Sequence, residues 1–167
     1  MKKLFAILVF FSLQARAEVR LPAIIGDHMV LQQKSTVLLW GWAGPGEVVK
    51  VAVSWEPGKE YAVKTNSGSK WQVAVTTPVA GGPYTVSFKG SGDALEVKDV
   101  LIGEVWVCGG QSNMEWSGSQ QLPQSLVEAP GAKNEKIRFF YVPKATSDFP
   151  QEDVRARWVV CNPEDMK

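Results

Sequence analysis

The sequence predicts an antiparallel β-sandwich over residues 18–99, followed by the opening of an α/β domain over residues 100–167. Three observations predict this. Between residues 19 and 100, short runs alternating apolar and polar residues are separated by Gly, Pro, Asn and Ser turns, with no helical period between them. Near Asp99 the texture changes, and residues 100–108 are nearly continuous in apolar side chains, as in a strand covered on both faces. The composition, 45% hydrophobic and 21% charged over 167 residues, is globular, neither disordered nor collagen-like. With 18 Lys+Arg against 17 Asp+Glu, there is no basic excess to drive nucleic-acid binding and no polybasic tail for a membrane surface.

The first 17 residues stand apart from either fold element. Lys2 and Lys3 precede an almost purely apolar run over residues 4–13, and Gln14-Ala15-Arg16-Ala17 places small residues where a signal peptidase reads. The run is about half the length of a bilayer span, so it is expected to be a secretory signal peptide cleaved after Ala17. Cleavage removes three basic residues and leaves 15 basic against 17 acidic, a net charge of −2. The mature protein is expected to be exported, periplasmic or secreted, and free of the membrane. The absence of an N-x-S/T sequon favours a bacterial source.

The strands of the first part follow in order. Residues 37–42 end at Ala43-Gly44-Pro45-Gly46, a turn signal. Val49, Val51 and Val53 alternate with Lys50, Ala52 and Ser54; after Asn66-Ser67-Gly68-Ser69, Trp71, Val73 and Val75 do the same. Gly81-Gly82-Pro83 introduces the clearest case, with Tyr84, Val86 and Phe88 apolar against Thr85, Ser87 and Lys89. Trp40, Trp42, Trp55 and Trp71 suit either a sandwich core or a sugar-stacking platform, and core is the commoner use. In the second part, residues 137–142 and 157–161 are strand candidates. Residues 120–129 are a candidate short helix bounded by Pro123 and Pro130. Few strands and little helix after residue 100 suggest the front of a longer protein.

Chemistry points to Ser112, in Gly109-Gly110-Gln111-Ser112-Asn113-Met114-Glu115-Trp116. A buried strand ending in glycines presents the next side chain at the carboxyl edge of the sheet, where open α/β sheets bind ligands. The glycines permit a tight turn, and the serine N–H is free to meet a developing oxyanion. The pattern is not the G-x-S-x-G elbow, because Met114 stands two positions after the serine. On spacing alone the signal is weak, because a serine after glycine is far more often a turn residue than a nucleophile. The single histidine, His28, lies in the sandwich part and reads as a turn residue rather than the base for Ser112. Cys108 and Cys161 allow a disulfide in an exported protein, or a free thiol at the end of a buried strand. Trp106 is expected to pack between sheet and helix.

Residues 102–116, Ile102-Gly103-Glu104-Val105-Trp106-Val107-Cys108-Gly109-Gly110-Gln111-Ser112-Asn113-Met114-Glu115-Trp116, resemble the signature segment of the sialate O-acetylesterases, of the SGNH (GDSL-like) hydrolase superfamily. Asp27-His28-Met29-Val30-Leu31-Gln32, Trp40-Gly41-Trp42-Ala43 and Pro45-Gly46-Glu47 are similar to the opening of that family's N-terminal sandwich. Residues 137–142, with Trp158, Cys161, Pro163 and Glu164, are similar to the region after its nucleophile.

The resemblance implies a flavodoxin-like three-layer SGNH domain from residue 100, incomplete here. It also implies that Ser112 attacks the acetyl carbonyl of O-acetylated sialic acid, or of another acetylated glycan, with its own N–H in the oxyanion hole. Gly110 keeps the turn glycine, Gln111 takes the place of the family's Asp, Asn113 braces the turn, and Glu115 either positions substrate or sits at the surface. No metal or organic cofactor is implied. The family's other oxyanion donors and its Asp-x-x-His segment are expected beyond Lys167, so residues 18–167 alone are expected to be inactive. His28 and Gln33 stand where Asn and Arg are common. Two other readings remain open: an acetyl-xylan esterase, since related GQSNM segments occur there, and a non-catalytic module whose sandwich holds glycans.

Overall fold

Alternation along the sequence becomes alternation of burial in a computed structural model that describes residues 18–116, 120 and 122–165. The expected signal peptide lies outside the described residues. The strands are β1 (Val30–Gln32), β2 (Thr36–Trp42), β3 (Val48–Val53), β4 (Glu60–Lys64), β5 (Lys70–Thr76), β6 (Gly81–Lys89), β7 (Leu95–Gly103), β8 (Asn134–Phe140) and β9 (Trp158–Cys161). Helix is scarce: α1 (Pro123–Glu128) and 3₁₀ turns at Ser112–Glu115 and Ala129–Gly131. The molecule is built mostly of strands.

Five strands form one sheet in the order β1-β7-β6-β3-β4, and β2 pairs with β5 in a separate ladder. All these pairings are antiparallel except β1 with β7, which is parallel and registers Val30 with Leu101. The expected all-antiparallel arrangement is corrected there. Val49, Val51, Val53, Val86 and Phe88 project from the large sheet into a shared core with Leu39, Trp71 and Val75 from the smaller ladder. Trp71 tilts onto Phe88 with ring centroids 5.6 Å apart. Each of these buried side chains contributes about 1.5–3 kcal/mol relative to exposure. The core use of Trp71 is therefore direct, while Trp40 and Trp55 pack half-buried against its rim. Trp42 meets Trp40 edge-on, and the Arg20 guanidinium lies 3.6 Å from the Trp42 ring centroid.

β7 departs from the sequence expectation in an instructive way. Val97, Val100 and Ile102 are all buried, a spacing that breaks the two-residue period. The pairing with β6 is irregular between Tyr84/Val100 and Val86/Val97, and Asp99 in that interval has φ +52°. This bulge shifts the phase of the strand, so the run of apolar residues is not a strand buried on both faces. The strand crosses the expected boundary at 99/100 and ends at Gly103. Beyond it Val105, Trp106 and Val107 are exposed, Val107 to 95%. Trp106, expected between sheet and helix, is 83% exposed; no described sheet or helix covers it.

The later elements also differ from a parallel sheet. β8 and β9 pair antiparallel, Phe140 opposite Trp158. The connection between them, residues 141–157, forms no crossover helix, which parallel pairing would need. The short helix expected over 120–129 is present as α1. Cys108 is exposed, Cys161 is buried and both are free thiols.

This second part docks on the first through its own polar groups. Arg138 Nη2 donates to Asp99 Oδ2 (3.0 Å), and His28 Nδ1 donates to the same oxygen (2.6 Å). Trp158 Nε1 donates to the Ile24 carbonyl (2.8 Å), and Asp153 accepts from the Ala23 N–H (2.8 Å).

Candidate active site

The site is built on the exit of β7. After Gly103 the backbone leaves the sheet, and residues 104–110 run without regular secondary structure to the 3₁₀ turn Ser112–Glu115. Gln111 precedes that turn, and its carbonyl accepts from the Met114 N–H at 2.9 Å. Gly110 is required by a close approach: a Cβ there would stand 2.7 Å from Met114 Cγ, so the Met114 side chain folds over a bare backbone. Gly110, Gln111, Ser112 and Asn113 are all exposed, and the Glu115 backbone completes the turn. The sequence therefore brings its predicted site residues together as one exposed turn.

Among the described residues, the histidine is held away from this turn. The chain's single histidine is engaged with Asp99, whose carboxylate also meets Arg138. Burial of Asp99 favours its neutral form. The His28 hydrogen bond and the Arg138 charge outweigh this and hold the carboxyl below its ordinary range. The Arg138 side chain is only 3% exposed. The histidine and the carboxylate thus serve the junction between β7 and β8, in keeping with the reading of His28 as a turn residue. Among the described residues, no group of three His, Cys, Asp or Glu side chains is arranged to hold a metal ion.

Sequence reasoning missed the residues that hold the exit itself. Glu104 accepts from Gln33 Nε2 (2.7 Å) and from Gln32 Nε2 (3.0 Å), one amide on each carboxylate oxygen. These two hydrogen bonds, Gln32's the larger influence, hold the Glu104 carboxyl below its ordinary range. Gln32 and Gln33 lie more than seventy positions before Glu104, and no local spacing announces the contact. The one signal was Gln33 itself, which stands where the resemblance leads one to expect Arg.

Two surface depressions lie elsewhere. One, of about 370 Å³, is bordered by Glu47, Lys50, Glu60 and Lys89; the other, of about 230 Å³, by Ile24, Trp40, Phe140 and Val142. Neither includes a residue of 104–116.

No protein-family model matches the chain. Among curated proteins, the mouse sialate O-acetylesterase is 32% identical over 145 residues, covering 81% of this chain and 26% of the mouse protein. The human sialate O-acetylesterase is 29% identical over 147 residues, 82% of this chain and 28% of its own length. The chain belongs to the sialate O-acetylesterase family. It spans about a quarter of the length of those curated family members. A solved structure, a carbohydrate acetylesterase from Xanthomonas citri, superposes with a TM-score of 0.82 at 34% identity, over 89% of this chain and 34% of that one. The likeness to this acetylesterase thus extends over most of the backbone path described above, not over a short motif alone.

Proposed function

We propose that this chain forms the serine-bearing part of a carbohydrate esterase that removes O-acetyl groups from sialic acids or related acetylated glycans. The observation that carries the reading is a Gly110-Gln111-Ser112-Asn113 turn, exposed at the exit of a core strand, in a chain similar to sialate O-acetylesterases along four-fifths of its length. In this reading the strands through β7 form a β-sandwich, and the chain after Gly103 opens an SGNH α/β domain. Residues 1–17 direct export.

The chemistry follows from the serine. Ser112 Oγ attacks the acetyl carbonyl and gives its proton to a general base other than His28, which is committed to Asp99. The carbonyl oxygen takes up negative charge and is met by the Ser112 N–H, one donor of an oxyanion hole. Collapse breaks the ester bond, the sugar oxygen leaves with a proton as the free hydroxyl, and an acetyl-serine remains. Water then attacks that ester, releasing acetate and restoring Ser112. Gly110 and Gln111 shape the turn, and Asn113 braces it.

The test is acetate release from O-acetylated sialic acid and from acetylated xylan by the longest polypeptide carrying this sequence. Ser112→Ala is expected to lower kcat on the sialic acid at least 10³-fold. Undiminished turnover in that variant overturns the reading, and a clear preference for xylan reassigns the substrate.

A further inference from the structure

We propose that Glu104, held between the side chains of Gln32 and Gln33, is the positioning residue that fixes the lead-in to Ser112. The inference rests on the reading of Ser112 as the nucleophile. Glu104 is the first residue after β7, and Ser112 follows eight positions later. Its two carboxylate oxygens take one glutamine each, at 3.0 and 2.7 Å. Neither amide has a spare end. Gln32 Oε1 accepts from the Val105 N–H (2.9 Å), the next backbone group on the way to the serine, and Gln33 Oε1 accepts from the Ala80 N–H (2.9 Å) before β6. The Gln33 N–H donates to the Gly103 carbonyl (2.8 Å), and the Gln32 carbonyl accepts from Thr77 Oγ1 (2.6 Å).

The arrangement gives the departing backbone one direction. Gly103, Glu104 and Val105 are each tied to the end of β1, and the end of β1 is tied to residues 77 and 80. An isolated surface hydrogen bond between two flexible side chains would not achieve this, because each partner could rotate away. Here every rotation breaks a second bond. Precise placement of a nucleophile matters because small displacements lower rates steeply.

The donor and acceptor pattern supplies the test. In Glu104→Gln the new amide offers one oxygen and one NH₂ to two donors, so one glutamine faces it donor to donor. In Gln33→Glu/Glu104→Gln, the amide at 104 donates to the carboxylate at 33 and accepts from Gln32, while an oxygen at 33 still accepts from the Ala80 N–H. All the bonds are restored with the same net charge. In the active polypeptide, Glu104→Gln is expected to lower kcat about tenfold with KM and melting temperature unchanged, and the double variant to recover most of the loss. In the chain itself, amide exchange over residues 105–116 is expected to speed up in Glu104→Gln, slow again in the double variant, and stay constant in β3. Wild-type kcat in Glu104→Gln, or no recovery in the double variant, overturns the positioning role. Full activity of Ser112→Ala instead overturns the nucleophile reading, so the two failures are distinguishable.

Discussion

A methyl group at Gly41 would stand 2.3 Å from the Arg20 carbonyl oxygen and 2.9 Å from the Trp71 ring, and neither can retreat. The carbonyl is held by the Trp42 N–H at 2.8 Å, and Trp71 is buried in the core. The glycine in Trp40-Gly41-Trp42 is therefore a packing requirement, not a flexible point. Gly41→Ala is expected to destabilise the chain by about 3 kcal/mol, read as a fall in the urea midpoint with an unchanged slope. At this scale the candidate site was partly legible. The Ser112 turn and its glycine could be read from residue types, since a chain turns sharply only where backbone can approach closely. Glu104 could not, because its partners are chosen by strand pairing across seventy positions, and sequence spacing carries no record of that.

Between elements, the bulge at Asp99 turns a strand residue outward to clasp β8. Its carboxylate meets His28 and the buried Arg138 together, so removing it strands a cation. Asp99→Asn is expected to cost about 1–3 kcal/mol near neutral pH. The sign with pH is fixed by the depressed folded-state titration of Asp99. Its stabilisation is complete above the ordinary aspartate value, about 4, and is lost as pH falls through the lower folded value. The gap between wild type and Asp99→Asn is thus expected to close below about pH 4, checked by urea unfolding across that range. The strands β3, β5 and β6 were legible because each buries one face, which writes a period of two into the sequence. β7 was misread because a bulge changes the phase of that period midway, and the resulting apolar run imitates a strand covered on both sides.

Across the whole molecule, the most exposed large apolar side chains come after Gly103. Trp106, Val107, Val127, Tyr141 and Phe149 are each at least 70% exposed. Surface of this kind marks association. Residues 18–167 are expected to self-associate at micromolar concentration and to bind a hydrophobic dye. The double change Trp106→Ser/Val107→Ser is expected to reduce both without lowering the melting temperature, as read by analytical ultracentrifugation and fluorescence. A second molecular property follows from β1, only three residues long and parallel to β7, with Val30 opposite Leu101. Closing a loop of about seventy residues costs more entropy than closing the short hairpins between β3 and β4 or β6 and β7, so those nucleate first. The glutamines that grip Glu104 sit at the end of that late-arriving strand. During synthesis the lead-in to the Ser112 turn is therefore anchored only after the sheet behind it has already folded.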